Sequence, residues 1–121
     1  MSHFWGYHTL LDVRGCKIEK VIDPEFLTAW VKSLVKDIAM VPFGEPQVVH
    51  FGHNDPLLSG WTVIQLIETS NIVAYFCDET GDAYIDVFSC SLYDMRVIVE
   101  SINKNFSPIN VRVNYLTRNA G

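Results

Sequence analysis

A serine lies inside a polar turn, Glu68-Thr69-Ser70-Asn71, between two apolar runs that are typical of strands. A serine hydroxyl can act as a nucleophile where the backbone holds it against an electrophilic carbonyl. Serine is also common in hairpin turns, where its hydroxyl only bonds the local backbone. Taken alone, this turn therefore offers Ser70 as a candidate nucleophile and assigns no function.

Cysteine and histidine are the other residue types here that can do chemistry. The three cysteines, Cys16, Cys77 and Cys90, are odd in number and widely spaced, which favours neither a disulfide framework nor a C-x-x-C zinc site. A free cysteine is most often a small buried hydrophobe, but its thiol can also donate a proton near neutral pH. His50 and His53 have no obvious third ligand, so we expect no metal.

The bulk composition restricts the partners. A chain of 121 residues, 49% hydrophobic, is expected to fold as one domain spanning 1–121. Nine basic residues against 14 acidic ones, for a net charge of −5, argue against nucleic acid and against an anionic membrane surface. The beginning does not resemble a signal peptide and no apolar run could span a bilayer, so a reducing, cytoplasmic setting is expected.

The elements that must position these residues follow from periodicity. Asp23-Pro24-Glu25 predicts a helix start, and Leu27, Trp30, Leu34 and Ile38 form its buried stripe. Pro42, Gly44 and Pro46 are expected to end that helix and to exclude any element before Gln47. Ser91 with Asp94 predicts a capping box for a second helix with the stripe Leu92, Met95, Val99 and Ile102.

Six strands are expected, at 7–13, 47–51, 61–67, 72–77, 83–89 and 109–116. The short connections between several of them favour antiparallel pairing. The predicted class is therefore α+β: an antiparallel sheet sandwich with two main helices packed on one face of the sheet.

Two stretches resemble a known family. Residues 6–16 read G-Y-H-T-L-L-D-V-R-G-C, and residues 83–90 read A-Y-I-D-V-F-S-C after the Ser70 turn. Both are similar to motifs of the prokaryotic S-adenosylmethionine decarboxylases, and the likeness extends over nearly the whole chain. The resemblance implies that the chain cuts itself between Thr69 and Ser70, and that Ser70 becomes a covalent pyruvoyl cofactor, which serves as the electron sink for decarboxylation. It also implies a homodimer with active sites at the subunit interface.

The same resemblance implies roles for further residues. Cys90 matches the proton donor of the reaction, Glu79 the carboxylate that binds the ribose hydroxyls of S-adenosylmethionine, and Thr62 a hydroxyl used in processing. His8 matches the opening motif and would line the site. The family stacks adenine on an aromatic ring; the matching position near Pro56 is not aromatic here, which leaves as substitutes Phe4, Trp5, Phe51 and Trp61.

Three positions depart from the family pattern. Thr69 replaces a glutamate, Asn71 replaces a histidine, and Tyr75 stands where the family has the histidine that assists processing. Tyrosine is a poor base at neutral pH because its ordinary pKa is about 10. Three alternatives stay open: a processing decarboxylase of S-adenosylmethionine, a decarboxylase of another amino acid such as arginine or ornithine, and a non-processing homologue that binds S-adenosylmethionine or an active partner subunit.

Overall fold

The structure, a computed structural model, describes residues 4–52 and 54–121. Over these residues the chain forms one antiparallel sheet and three helices. The strands are β1 (Gly6–Arg14), β2 (Pro42–Phe51), β3 (Gly60–Ile67), β4 (Ser70–Cys77), β5 (Ala83–Ser89) and β6 (Asn110–Arg118). The helices are α1 (Ile18–Val21), α2 (Pro24–Asp37) and α3 (Met95–Phe106). The sheet order is β2-β3-β4-β5-β1-β6, so the α+β class is confirmed.

The core lies between the sheet and the helices. The Asp23 carboxylate accepts hydrogen bonds from the backbone N–H groups of Glu25 and Phe26, which starts α2 as predicted. All four residues of the predicted α2 stripe are buried. Trp30 lies edge-on to Phe76 of the sheet and to Phe106 of α3, and its indole N–H donates to the Ser101 hydroxyl at 3.0 Å. These contacts fasten both main helices to one face.

The opposite face of the sheet is not covered by any helix of the described chain, and we call it the open face. The strand register aligns three rows of side chains across it. One end row contains Leu66, Asn71, Phe88, His8 and Leu116. The middle row contains Ile64, Val73, Asp86, Leu10 and Asn114. The other end row contains Thr62, Tyr75, Tyr84, Asp12 and Arg112.

The expectation that no element precedes Gln47 was wrong, because β2 begins at Pro42. β2 is the outermost strand, so its prolines remove no ladder hydrogen bond on the outer side. A register shift between Phe43 and Gln47 also absorbs the intervening residues as a bulge.

The start of the second helix was also predicted wrongly. Asp94 alone caps α3, accepting from the N–H of Arg96, whereas the Ser91 N–H donates back to the Ser89 hydroxyl. Leu92 precedes the helix and is 68% exposed. The residues of α3 that are buried are Ile98, Ser101, Ile102 and Phe106. None of the described helices has the length and apolar character that crossing a membrane requires.

Candidate active site

The turn that contains the candidate nucleophile is tighter than predicted. Ile67 pairs directly with Ser70, so only Glu68 and Thr69 form the turn and Ser70 is the first residue of β4. On its other side Ser70 pairs with Ser89, the last residue of β5. The amide between Thr69 and Ser70 therefore lies where the central strands of the sheet hold the backbone on both sides.

The Thr69 carbonyl is held by a backbone donor. The N–H of Cys90 donates to this oxygen at 3.0 Å. A fixed N–H group on a carbonyl oxygen stabilises the negative charge that develops there when a nucleophile adds to the carbon. The carbonyl that a Ser70 hydroxyl would attack is thus already polarised.

The Thr69 side chain is fixed as well. Its hydroxyl accepts from the Ser89 hydroxyl at 2.7 Å and lies 3.4 Å from the Met40 sulfur. Ser89 is fully buried, and its own oxygen accepts from the Ser91 N–H. The Glu68 N–H donates to the Val41 carbonyl. These contacts at position 69 therefore suit a short hydroxyl side chain, whereas the resemblance implies a longer carboxylate there in the family.

Aromatic and polar groups lie beside this turn on the open face. Phe88 pairs with Asn71 on one side and with His8 on the other. Its ring is 5.3 Å from that of His8 and 5.9 Å from that of Trp5, and the Arg118 guanidinium lies over it. The Arg118 guanidinium also donates to His8 Nδ1 at 3.2 Å. A cavity of about 400 Å³ opens here, lined by Trp5, Phe88, Arg118, Asn119 and Ala120.

A second group of candidate residues lies at the other end of the β3–β4 hairpin. Thr62 and Tyr75 are direct cross-strand partners. The Tyr75 hydroxyl donates to the Leu58 carbonyl, in the connection between β2 and β3. Burial, and secondarily the nearby Cys77 and Asp78, raise the pKa of Tyr75 above its ordinary value. Tyr75 therefore keeps its proton and uses it to hold a loop, which a general base cannot do.

Glu79 and two of the aromatic candidates are found at this same end. Glu79 is exposed in the turn between β4 and β5. Phe51 is 53% exposed at the end of β2, and Trp61 packs instead on the helix side, with its ring 4.9 Å from that of His50. Phe4 is half exposed just before β1. The expectation about His53 falls outside the described residues.

The structure thus brings together some of the predicted residues and separates others. Thr69, Ser70 and Cys90 meet at one end, with His8 and Trp5 beside them. Thr62, Tyr75, Glu79, Phe51 and Trp61 are at the other end. Ser70 and Tyr75 are five residues apart on one strand, which corresponds to about 16 Å along it. Within one chain they do not meet.

Sequence reasoning missed two contributors to the first group. Phe88 and Ser89 belong to the A-Y-I-D-V-F-S-C stretch, so their identities were visible, but not their contacts. The role of the Cys90 N–H has no sequence signal, because every residue except proline carries that group.

Sequence and structure comparisons agree on the class of protein. The profile of the S-adenosylmethionine decarboxylase family matches residues 7–119. An S-adenosylmethionine decarboxylase proenzyme of Clostridium botulinum strain Langeland is 24% identical over 114 residues, covering 93% of each chain. The corresponding proenzyme of strain Loch Maree is 26% identical over 101 residues, covering 83% of this chain and 82% of its own.

The fold has a counterpart of known structure. The crystal structure of the adenosylmethionine decarboxylase from Aquifex aeolicus superimposes with a TM-score of 0.81 at 20% identity, covering 99% of this chain and 95% of that one. The fold is therefore that of an adenosylmethionine decarboxylase. This chain belongs to the S-adenosylmethionine decarboxylase family.

Proposed function

We propose that this chain cuts itself between Thr69 and Ser70 and, with the pyruvoyl group so formed, decarboxylates S-adenosylmethionine to supply the aminopropyl donor for polyamine synthesis, spermidine in particular. The observation that carries this proposal is the 3.0 Å hydrogen bond from the Cys90 N–H to the Thr69 carbonyl, at a two-residue turn that ends on Ser70. A serine, a polarised carbonyl before it and a constrained turn are the parts that self-cleavage needs.

The cleavage chemistry uses the chain's own atoms. The Ser70 hydroxyl adds to the Thr69 carbonyl carbon, the C–N bond breaks, and an ester replaces the amide. Removal of the Ser70 α-proton then expels the Thr69 carboxylate and leaves dehydroalanine. Hydrolysis of dehydroalanine releases ammonia and leaves a pyruvoyl group at the start of residues 70–121. Holding the reacting atoms in a fixed turn replaces a search through conformations with a nearly unimolecular step.

The pyruvoyl group would supply the electron sink that decarboxylation needs. The Cys90 thiol, exposed directly after β5, would return a proton to the α-carbon. The Glu79 carboxylate would accept hydrogen bonds from both ribose hydroxyls, which favours a nucleoside-bearing substrate over arginine or ornithine. Trp5, with Phe88 and His8 beside it, is the aromatic candidate next to the cleavage turn.

A homodimer would unite the two groups of residues. If two open faces pack about a two-fold axis with their strands opposed, the row that contains His8 and Phe88 of one copy lies over the row that contains Thr62 and Tyr75 of the other. The open face also exposes apolar side chains, among them Leu66 at 50% and Leu116 at 48%. Symmetric dimers are the commonest assembly, and this one completes the site.

We expect the chain to sediment as a dimer at micromolar concentration and Val73→Lys to make it a monomer that is no longer cleaved. Val73 lies in the middle row beside Asp86, which can pair with the new lysine in a monomer, while the two-fold contact would bury an added charge. Analytical ultracentrifugation and intact-mass spectrometry measure the two effects. Leu92→Lys, on an exposed residue away from the open face, is the matched control. A wild-type monomer, or a cleaved Val73→Lys monomer, would contradict the shared site.

Intact-mass spectrometry of the purified protein tests the proposed function. We expect the 13.8 kDa chain to convert into residues 1–69 and a pyruvoyl-initiated fragment of residues 70–121 that is blocked to Edman degradation. Ser70→Ala, which lacks the attacking hydroxyl, should stay whole. Release of CO₂ from carboxyl-labelled S-adenosylmethionine should accompany cleavage and be absent from Ser70→Ala.

The hydrogen bond from Tyr75 to Leu58 favours a second candidate, a non-processing homologue that binds S-adenosylmethionine or pairs with an active subunit. In that case the hydroxyl serves only to anchor the loop. A single full-length mass that persists for days at physiological temperature would reject the decarboxylase and support this alternative.

A further inference from the structure

Three polar side chains form a network at the end of the sheet, on the side of the helices. His50 Nε2 lies 2.6 Å from Asp78 Oδ2, and the Ser59 hydroxyl donates to the same oxygen at 2.8 Å. The Asp78 backbone N–H also donates to the Ser59 carbonyl at 3.0 Å. We call His50, Ser59 and Asp78 the latch. It joins the ends of β2, β3 and β4, and β2 and β4 are not neighbours in the sheet.

The geometry of the latch excludes the arrangement of a catalytic triad. In a triad the two nitrogens of the histidine face different partners, the carboxylate and the nucleophile. Here the same nitrogen, His50 Nε2, lies near both Asp78 Oδ2 and the Ser59 hydroxyl, the latter at 3.3 Å. The hydroxyl donates to the carboxylate, so it is not activated for attack. The contacts of the network therefore fix the positions of the segments they join and do not activate a nucleophile.

Asp78 depends on this network. Its Oδ1 atom is buried and has no hydrogen-bond partner among the described residues, so Oδ2 carries the side-chain hydrogen bonds. The side chains of His50 and Asp78 are only 20% and 24% exposed, so little water can compete for the hydrogen bond between them. Losing either partner would leave a mostly buried polar group unsatisfied. The Asp78 segment would then be held less firmly, by the hydrogen bond from its backbone N–H to the Ser59 carbonyl.

The segment that the latch holds contains Glu79. Asp78 precedes Glu79 directly, and beyond Glu79 the turn is fastened by the Gly15 N–H to the Asp82 carboxylate at 2.9 Å and by the Cys16 N–H to the Gly81 carbonyl at 2.9 Å. Between these two anchors the Glu79 carboxylate makes no hydrogen bond or ion pair with any other described residue. Its position is therefore set by the backbone on either side.

We propose that His50, Ser59 and Asp78 are positioning residues that hold Glu79 where its carboxylate meets the two ribose hydroxyls of the substrate. This inference rests on the proposed function and deepens it, because it assigns the selection of a vicinal diol to a device outside the family motifs quoted above. Ordering Glu79 before binding removes an entropic cost that a free turn would incur on each binding event.

The test measures preference for a diol rather than affinity alone. Dissociation constants are determined by calorimetry for adenosine, for 2′,3′-dideoxyadenosine and for S-adenosylmethionine. We expect wild type to prefer adenosine over its dideoxy analogue and Glu79→Gln to lose most of that preference. His50→Gln and Asp78→Asn should reduce the preference on the order of tenfold, the effect of one hydrogen bond to a charged group. Asp78→Asn combined with Glu79→Gln should lose no more than Glu79→Gln.

Glu45→Gln is the matched control, since it breaks the 2.9 Å ion pair from Lys32 that also fastens β2, and it should keep the preference. Near-ultraviolet circular dichroism checks folding. Should Asp78→Asn not fold, His50→Gln on the edge strand answers the question.

If Glu79→Gln loses the preference for the diol while the folded latch variants keep it, the positioning role is overturned and the assignment of Glu79 stands. If the latch variants weaken the binding of adenosine and of its dideoxy analogue equally, the positioning role is also overturned. No diol preference in wild type, or none lost in Glu79→Gln, overturns the Glu79 assignment and the latch with it.

Discussion

Tyr75→His is expected to speed cleavage at Ser70 on the order of 10²–10⁴-fold, the usual contribution of a general base. Histidine has an ordinary pKa of about 6.5 and can accept the Ser70 α-proton at neutral pH. Tyr75 cannot, because its pKa is raised above 10 and its hydroxyl already donates to Leu58. The rate is followed as the loss of full-length mass in freshly purified precursor.

The pH dependence of the cleavage rate distinguishes a new general base at position 75 from the mere release of the loop that contains Leu58. Cleavage by Tyr75→His should rise as pH increases through about 6.5, where the imidazole loses its proton, and then level off. The wild-type rate should show no such step, because the raised pKa of Tyr75 keeps it protonated across this range. Tyr75→Phe is the matched control: it releases Leu58 but adds no base. If Phe accelerates cleavage as much as His, or if His changes nothing, the missing base is not what limits processing.

The distance between the two groups of candidate residues adds a condition to the prediction for Tyr75→His. Since Ser70 and Tyr75 are about 16 Å apart along one strand, an introduced histidine would act on the Ser70 of the second copy. A mixed dimer of a chain with Ser70→Ala and Tyr75→His and an otherwise wild-type chain should therefore cleave faster than the wild-type dimer does. Cleavage at the wild-type rate in this mixture would argue for action within one chain.

Cys90→Ala is expected to leave cleavage unchanged and to lower productive decarboxylation on the order of 10²–10⁴-fold. The two effects separate because the group that holds the Thr69 carbonyl is the backbone N–H of residue 90, which alanine keeps, whereas the proton donor is the thiol, which alanine lacks. Intact mass reports the first effect, and the yield of decarboxylated S-adenosylmethionine per CO₂ released reports the second.

Cys16→Ala is the control for thiol chemistry in general. Cys16 is buried, and that burial, with the nearby Asp82 carboxylate, raises the pKa of its thiol to about 12, so it is not suited to donate a proton at neutral pH. Turnover should survive its removal. Undiminished turnover in Cys90→Ala would assign the proton donor elsewhere, and loss of cleavage in that variant would mean that the thiol, not only the N–H, serves processing.

Local patterns were sufficient for much of the fold. The Asp23 cap and the α2 stripe were predicted correctly, because a helix is specified by contacts three or four residues apart. The alternation of Val111 and Val113 with polar residues likewise placed β6 on the sheet. The predictions failed where a neighbour decided the outcome. Pro42 is tolerated in β2 only because β2 is an edge strand, and Ser91 does not cap α3 because its N–H bonds Ser89.

The sequence by itself determined the candidate nucleophile, the family likeness, the helix stripes and most strand positions, since each depends on residues close together in the chain. Only the tertiary structure decided that the Cys90 N–H holds the Thr69 carbonyl, that Tyr75 bonds a loop far from Ser70, and that His50 meets Asp78. These contacts join residues 17 to 28 positions apart, and they exist because of the order in which the strands lie in the sheet. Pairing of strands is a property of the whole core, and no local pattern carries it.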